Sequence, residues 1–222
     1  MRARALEDSE SDFRDRHLHV GYTLRGHLVR TLSVAAAVLT AGVWLSSAGS
    51  WMHWLALPVF WVIANLFEWA THRFPMHRPM FPRMMYRNHA LVHHRAFAGD
   101  HAQEIRSTTD LCLVMMPWYT ILLVFSMASP VALVASVLGG PALAGVFLVA
   151  AISYFLLYET IHTLHHLQGA QLERLGAARW RWLTALRRHH HFHHRPGEMA
   201  HTNFNVTAPL ADRLFGTYFK QH

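Results

Sequence analysis

Long apolar runs alternate with short basic, histidine-rich stretches along this chain. The first run, Leu28 to Ser47, has no charge after Arg30. The second, Trp51 to Trp69, is interrupted by His53, Asn65 and Glu68. The third, Leu111 to Leu138, contains Pro117 and Pro130, and the fourth, Pro141 to Tyr158, has no charge until Glu159. A helix needs roughly 20 apolar residues to cross about 30 Å of hydrocarbon. Each run reaches or nearly reaches that length, and Pro130 is the expected exit point of the third. The pattern predicts an all-α integral membrane protein in the span 28–222. Its four transmembrane helices are expected over 28–47, 51–70, 111–138 and 141–160, with a cytoplasmic cap of short helices over 71–110 and 161–222. Residues 1–27 are expected to form a cytoplasmic N-terminal segment, disordered over 1–12.

Charge gives the orientation. All 20 Lys and Arg residues fall in Met1–Arg30, Thr71–Asp110 and Ile161–His222, and the two connectors between paired runs carry none. The positive-inside rule then places both termini and the histidine groups on the cytoplasmic side of a bacterial inner membrane or endoplasmic reticulum. The plain reading of the basic balance is attraction to anionic head groups. Nucleic-acid binding is disfavoured, since no recognition motif accompanies the arginines. Glu7, Asp8, Glu10 and Asp12 precede any apolar run, so the first run is expected as a retained span and not a cleavable signal. The single cysteine, Cys112, excludes an intrachain disulfide and a cysteine-based zinc site.

Of 20 histidines, most lie in four groups. His72 and His77 close the second run, with Glu68 one turn before His72 and Pro75 between the two. His89, His93 and His94 lie in the basic loop. His162, His165 and His166 close the fourth run, one turn after Glu159. His189, His190, His191, His193 and His194 follow Leu172–Leu186, which reads as one amphipathic helix on the membrane surface, with Trp180 and Trp182 as interface anchors. Neutral imidazole is the commonest protein ligand for transition metals. An octahedral ion takes at most six ligands, so about ten clustered histidines imply two ions close together. His89 and His93, at i and i+4, share a face of an α-helix, and His94 points about 100° away, placed either to bind a second ion or to orient a ligand. Solvated helix ends are the plainer reading of each group, but ionisable clusters at the end of a membrane span are costly and point to function.

The order Glu68-x3-His72-x4-His77, His89-x3-His93-His94, His162-x2-His165-His166, His190-x2-His193-His194, then Asn203-Phe204-Asn205 and Asp212 to Thr217, resembles the fatty acid hydroxylase/sterol desaturase superfamily over residues 60–218. These are integral-membrane, non-haem di-iron enzymes. The resemblance implies a four-span base, a cytoplasmic cap and two Fe ions, with Zn able to substitute on purification and O2 as co-substrate. The implied ligands come from His72, His77, His89, His93, His94, His162, His165, His166, His190, His193 and His194. A His-x3-His third group would leave His165 beside the metals instead of on them, and three residues between His89 and His93, where two is the family's commoner spacing, set His89 apart from the other implied ligands. His189 and His201 are further candidates for metal binding or support. Glu68 and Glu159 are expected to fix imidazole tautomers, and Asn205 and Asp212 to pin the C-terminal loop. The expected reaction is hydroxylation of a C–H bond in a fatty acyl, sphingolipid or sterol-like lipid, with electrons from a separate ferredoxin or cytochrome b5 type donor and its reductase. Desaturation and carotenoid hydroxylation use the same metals and stay open. A histidine-rich metal transporter or storage protein would place ionisable groups at mid-membrane, and a b-type haem protein would place histidines inside the bundle. The runs hold neither in their middles: His53 and Glu68 lie near the two ends of the second.

Overall fold

The computed structural model describes residues 12–98 and 103–219, and among these every regular element is helical. The expected disorder at the N-terminus falls outside the described residues up to position 11, while 12–17 is helical. Three helical stretches are long and apolar enough to cross a membrane: Leu24–Ser46, Trp51–Met76 and Thr120–His166. We label the long helices α1 (Leu24–Ser46), α2 (Leu57–Thr71), α3 (Thr120–His166) and α4 (Arg181–His193). The chain divides into two compact units.

One unit comprises 23–64 and 116–158. Its helix α3 is 47 residues long, but the backbone leaves helical geometry at Gly139 and at Gly140, whose φ is 65°. A straight helix would separate Ile121 from Ile152 by about 46 Å at 1.5 Å per residue. Both instead sit in one buried cluster with Ala35 and Phe155, so α3 doubles back at the two glycines. Gly140 takes a left-handed turn that other residues resist, and Pro141 restarts the helix with its φ already set. Pro130 does not end the helix as expected. Its missing N–H would strand the Ser126 carbonyl, and the Ser129 hydroxyl donates to that carbonyl at 2.8 Å. Helix α1 meets the second limb of α3 at a glycine pair. A Cβ on Gly145 would lie 2.5 Å from the Gly42 oxygen and the Ser46 nitrogen. Small residues of this kind let backbones approach closely where lipid offers no hydrophobic driving force. Large side chains such as Leu133, Val134, Val137 and Leu138 face outward, as a lipid-facing surface requires.

The other unit comprises the segment up to Tyr22, 65–115 and 159–222. It corrects the third expected span. Leu111–Val114 is a separate turn of helix with all four side chains buried, and Met115 is extended. Pro117 keeps the helix from running on, because it disfavours helical geometry at Met116, the residue before it. The expected amphipathic helix over Leu172–Leu186 is also broken. Gly169–Arg174 and Ala177–Arg179 are short pieces separated by Gly176 with φ 68°, and α4 begins only at Arg181. Two stretches, His72–Met76 and Arg87–His93, are π-helical. The C-terminal segment is tied in by buried polar groups. Asn65 donates to the Ala208 carbonyl at 2.8 Å and accepts from the Ala211 N–H at 3.1 Å. Trp69 packs on Phe204 and Ala211 and donates its indole N–H to Thr217.

Candidate metal centre

Ten buried histidines of this second unit converge as two sets of five. One holds His72, His77, His89, His94 and His193; the other holds His93, His162, His166, His190 and His194. Within each set one ligand atom per residue lies within 4.8 Å of all the others. In the first set, Nε2 of His89 is 2.8 Å from that of His72 and 3.1 Å from that of His94, and His77 and His193 are 3.1 Å apart. In the second, Nε2 of His190 lies 3.1 Å from His166 and 3.0 Å from His194, and His93 and His194 are 3.2 Å apart. The sets are neighbours: the rings of His94 and His194 stack at 4.2 Å.

Four ring orientations are fixed by backbone carbonyls. Nδ1–H of His72 donates to Phe204, that of His93 to Leu113 at 2.8 Å, that of His166 to Gln103 at 2.7 Å, and that of His193 to Thr202 at 2.7 Å. With the proton on Nδ1, Nε2 of a neutral ring presents a bare lone pair to the centre. The rings are held neutral. Burial depresses His93 to about 4, against a smaller upward pull from the Leu113 carbonyl. Burial, then crowding by neighbouring imidazoles, holds His89, His94, His190, His193 and His194 well below the ordinary histidine value.

This donor set fits a metal. An N–H can point at one neighbour only, whereas a cation meets five lone pairs at once. Imidazole suits Fe, Zn, Cu and Ni. Two nitrogens about 2.1 Å from one ion are roughly 3.0 Å apart at a right angle and roughly 3.4 Å apart in a tetrahedron. The observed spacings of 2.8–3.2 Å are short enough for neighbouring nitrogens of each set to share one ion. Each set is uncharged, so two dications would keep their full positive charge.

The histidines do not pair as α-helical spacing predicts. His89 and His93 fall in different sets, and His89 joins His94. The cause is the π-helix over Arg87–His93, where hydrogen bonds run from i to i+5 and residues five apart stack on one turn. The same geometry over His72–Met76 joins His72 to His77, and accommodates Pro75 without ending the helix. His165 is fully buried but outside both sets, with its ring 5.0 Å from that of His190. His189 is also outside them and donates Nε2–H to Asp212 at 3.2 Å. His201 is exposed.

Two carboxylates, Glu68 and Asp212, hold the frame. Glu68 accepts from the N–H groups of Val206 at 2.5 Å and Thr207 at 3.2 Å and from the Thr207 hydroxyl at 2.6 Å. Glu159 is buried one turn before His162. Asp212 accepts from the N–H groups of Phe204 at 2.9 Å and Asn205 at 2.8 Å and from Thr217 at 2.7 Å. Burial alone would raise its carboxyl, but His189, Thr217 and the two N–H groups hold it below the ordinary range. Asn205 returns a bond to the Asp212 N–H at 3.0 Å and donates to the Asn65 carbonyl at 3.0 Å. Two supports were not among the candidates: the Gln103 carbonyl accepts from His166, and Asn203 donates to the His189 carbonyl at 3.1 Å; Asn203 stands in the Asn203-Phe204-Asn205 motif, while no motif marks Gln103.

Searches of curated proteins and of solved structures each returned no match. The family model for fatty acid hydroxylase matches residues 57–217, which include all ten converging histidines and the loop carrying Glu68's partners. The chain belongs to the fatty acid hydroxylase family.

Proposed function

We propose that this protein is a membrane-embedded di-iron lipid hydroxylase. The observation that carries the reading is the two adjoining sets of five buried, neutral imidazoles within the family-matching region. His72, His77, His89, His94 and His193 would hold one iron, and His93, His162, His166, His190 and His194 the other. When bound, the pair would supply the O2 chemistry that replaces a C–H bond by C–OH, with two electrons and two protons reducing the second oxygen atom to water. The chain's own part is positional. The carbonyls of Phe204, Leu113, Gln103 and Thr202 keep the lone pairs of four rings aimed inward, and burial excludes bulk water and keeps protons off the ligands. The substrate is a lipid, because the same chain carries membrane-length apolar helices. The charge pattern favours four spans with both termini cytoplasmic, the doubled-back α3 providing two of them. Electrons come from a separate ferredoxin or cytochrome b5 type protein.

The test joins two measurements on tag-free protein in detergent. Metal analysis by mass spectrometry should find about two ions per chain, iron or zinc, since histidine sites bind Zn more tightly than Fe(II). Lipids from cells expressing the wild-type chain, compared with His166→Ala, should show a species that has gained one oxygen. A species that has instead lost two hydrogens would make the enzyme a desaturase. No bound metal after reconstitution with Fe(II) would overturn the reading.

A further inference from the structure

The family match begins at residue 57, yet a side chain far upstream reaches the interior of the histidine-bearing unit. Arg14, in the helical stretch 12–17, is 3% exposed. A buried guanidinium is costly unless its donors are met. Nε donates to the Ala96 carbonyl at 2.6 Å, and Nη1 donates to the Glu104 carbonyl at 2.9 Å and to Asp110 Oδ2 at 3.3 Å.

Two routes lead from Arg14 to the same metal ligands. The guanidinium lies over the ring of Phe97 at 4.4 Å, and Phe97, wholly buried, packs against His166 at 4.7 Å and His93 at 5.3 Å between ring centroids. By the second route Arg14 fixes the Glu104 peptide, directly after Gln103. The Gln103 carbonyl accepts Nδ1–H of His166, and the Ile105 N–H donates to the His166 carbonyl at 2.8 Å. Arg187 holds the Glu104 carboxylate from the other side at 2.5 Å. Both routes end in the set containing His93 and His166. We infer that Arg14 is a positioning residue for that set, supplied by the N-terminal segment from outside the family-matching region. The inference rests on reading the set as a metal centre.

The test uses full-length, metal-free protein in detergent, titrated with Co(II) and followed by its visible absorption. Wild type should bind two ions; binding none would sink the metal reading itself and not the role of Arg14. His77→Ala leaves only the second set intact, and His162→Ala only the first. On the His77→Ala background, Arg14→Gln should weaken Co(II) binding about 10- to 100-fold, the usual effect of removing a group that orients a ligand, and should change the spectrum. On the His162→Ala background it should change neither. Arg14→Lys, which keeps the charge but loses the fork, should behave like Arg14→Gln. Phe97→Leu cuts one route and leaves Arg14 in place, so it carries the test if the Arg14 variants do not fold. Wild-type affinity and spectrum at the second set in Arg14→Gln or, failing that, in Phe97→Leu would overturn the inference, as would equal weakening of both sets.

Discussion

Asp212→Asn is the most telling single substitution, because it keeps the shape of the side chain and changes only what its oxygens can do. In the wild type Oδ1 accepts from the Phe204 N–H and Thr217, and Oδ2 from the Asn205 N–H and His189. Whichever oxygen becomes the amide nitrogen, one of the two backbone N–H groups then faces a donor. The loss is one charge-assisted bond, about 1.5–3 kcal/mol, together with a buried unsatisfied N–H, about 1–3 kcal/mol. Together they amount to at most about 2.5–6 kcal/mol. In a thermal melt followed by size-exclusion chromatography the midpoint should fall by on the order of 10 °C. The damage is also directional. The Phe204 peptide that Asp212 anchors supplies the carbonyl that accepts from His72. Metal binding by the set containing His72 should therefore weaken about 10- to 100-fold, while the set containing His93 keeps its affinity. An Asn variant that melts with the wild type, or that weakens both sets alike, would refute the reasoning.

Three further outcomes follow from the geometry. His166→Ala should cost one ion per chain by mass spectrometry, whereas His165→Ala, outside both sets, should leave two; loss of metal in His165→Ala would reassign the ligands. Gly145→Ala places a methyl 2.5 Å from backbone atoms of α1, an overpacking worth about 1–3 kcal/mol, while Gly169→Ala meets nothing within 4 Å and should melt with the wild type. Metal-free protein should lose stability on acidification. His93 has its folded value depressed to about 4, so below the ordinary histidine value of about 6.5 the unfolded chain takes up a proton that the folded chain refuses. The contribution is complete above about pH 6.5 and is lost as pH falls through about 4. A midpoint that is flat or rises between pH 7 and 5 would contradict the neutral, buried state of these rings.

Much of the architecture could be read from hydrophobic runs, and its misreadings share one cause. Apolar composition reports burial but not what does the burying. Leu111–Val114 reads as the start of a membrane span because it is apolar, yet its four side chains are buried within the histidine-bearing unit. Pro117, inside the same run, was the available signal for the break. Pro130 misled in the other direction, because the serine that satisfies the freed carbonyl sits one residue before it. The candidate ligands were legible as motifs, since imidazole is distinctive chemistry. Their supports were not, because the carbonyls of Phe204, Leu113, Gln103 and Thr202 are groups that every residue carries.

How the ten histidines divide was the least legible feature, and it has a simple geometric account. The first set consists of two i,i+5 pairs, His72 with His77 and His89 with His94, plus His193. The second consists of two i,i+4 pairs, His162 with His166 and His190 with His194, plus His93. The i,i+5 pairs go with the π-helical stretches and the i,i+4 pairs with α3 and α4. The unpaired member of each set is the chain neighbour of a paired member of the other: His93 beside His94, and His193 beside His194. Adjacent residues on a helix point about 100° apart, so one His-His step can serve two ions that lie side by side. Two such steps, one from the basic loop and one from the end of α4, fasten the two sets together. Deleting one residue between His89 and His93 would leave His89 and His94 at i,i+4, the spacing that pairs His162 with His166 on an α-helix, so the π-helix over Arg87–His93 is what absorbs the additional residue of that motif and still brings His89 to His94.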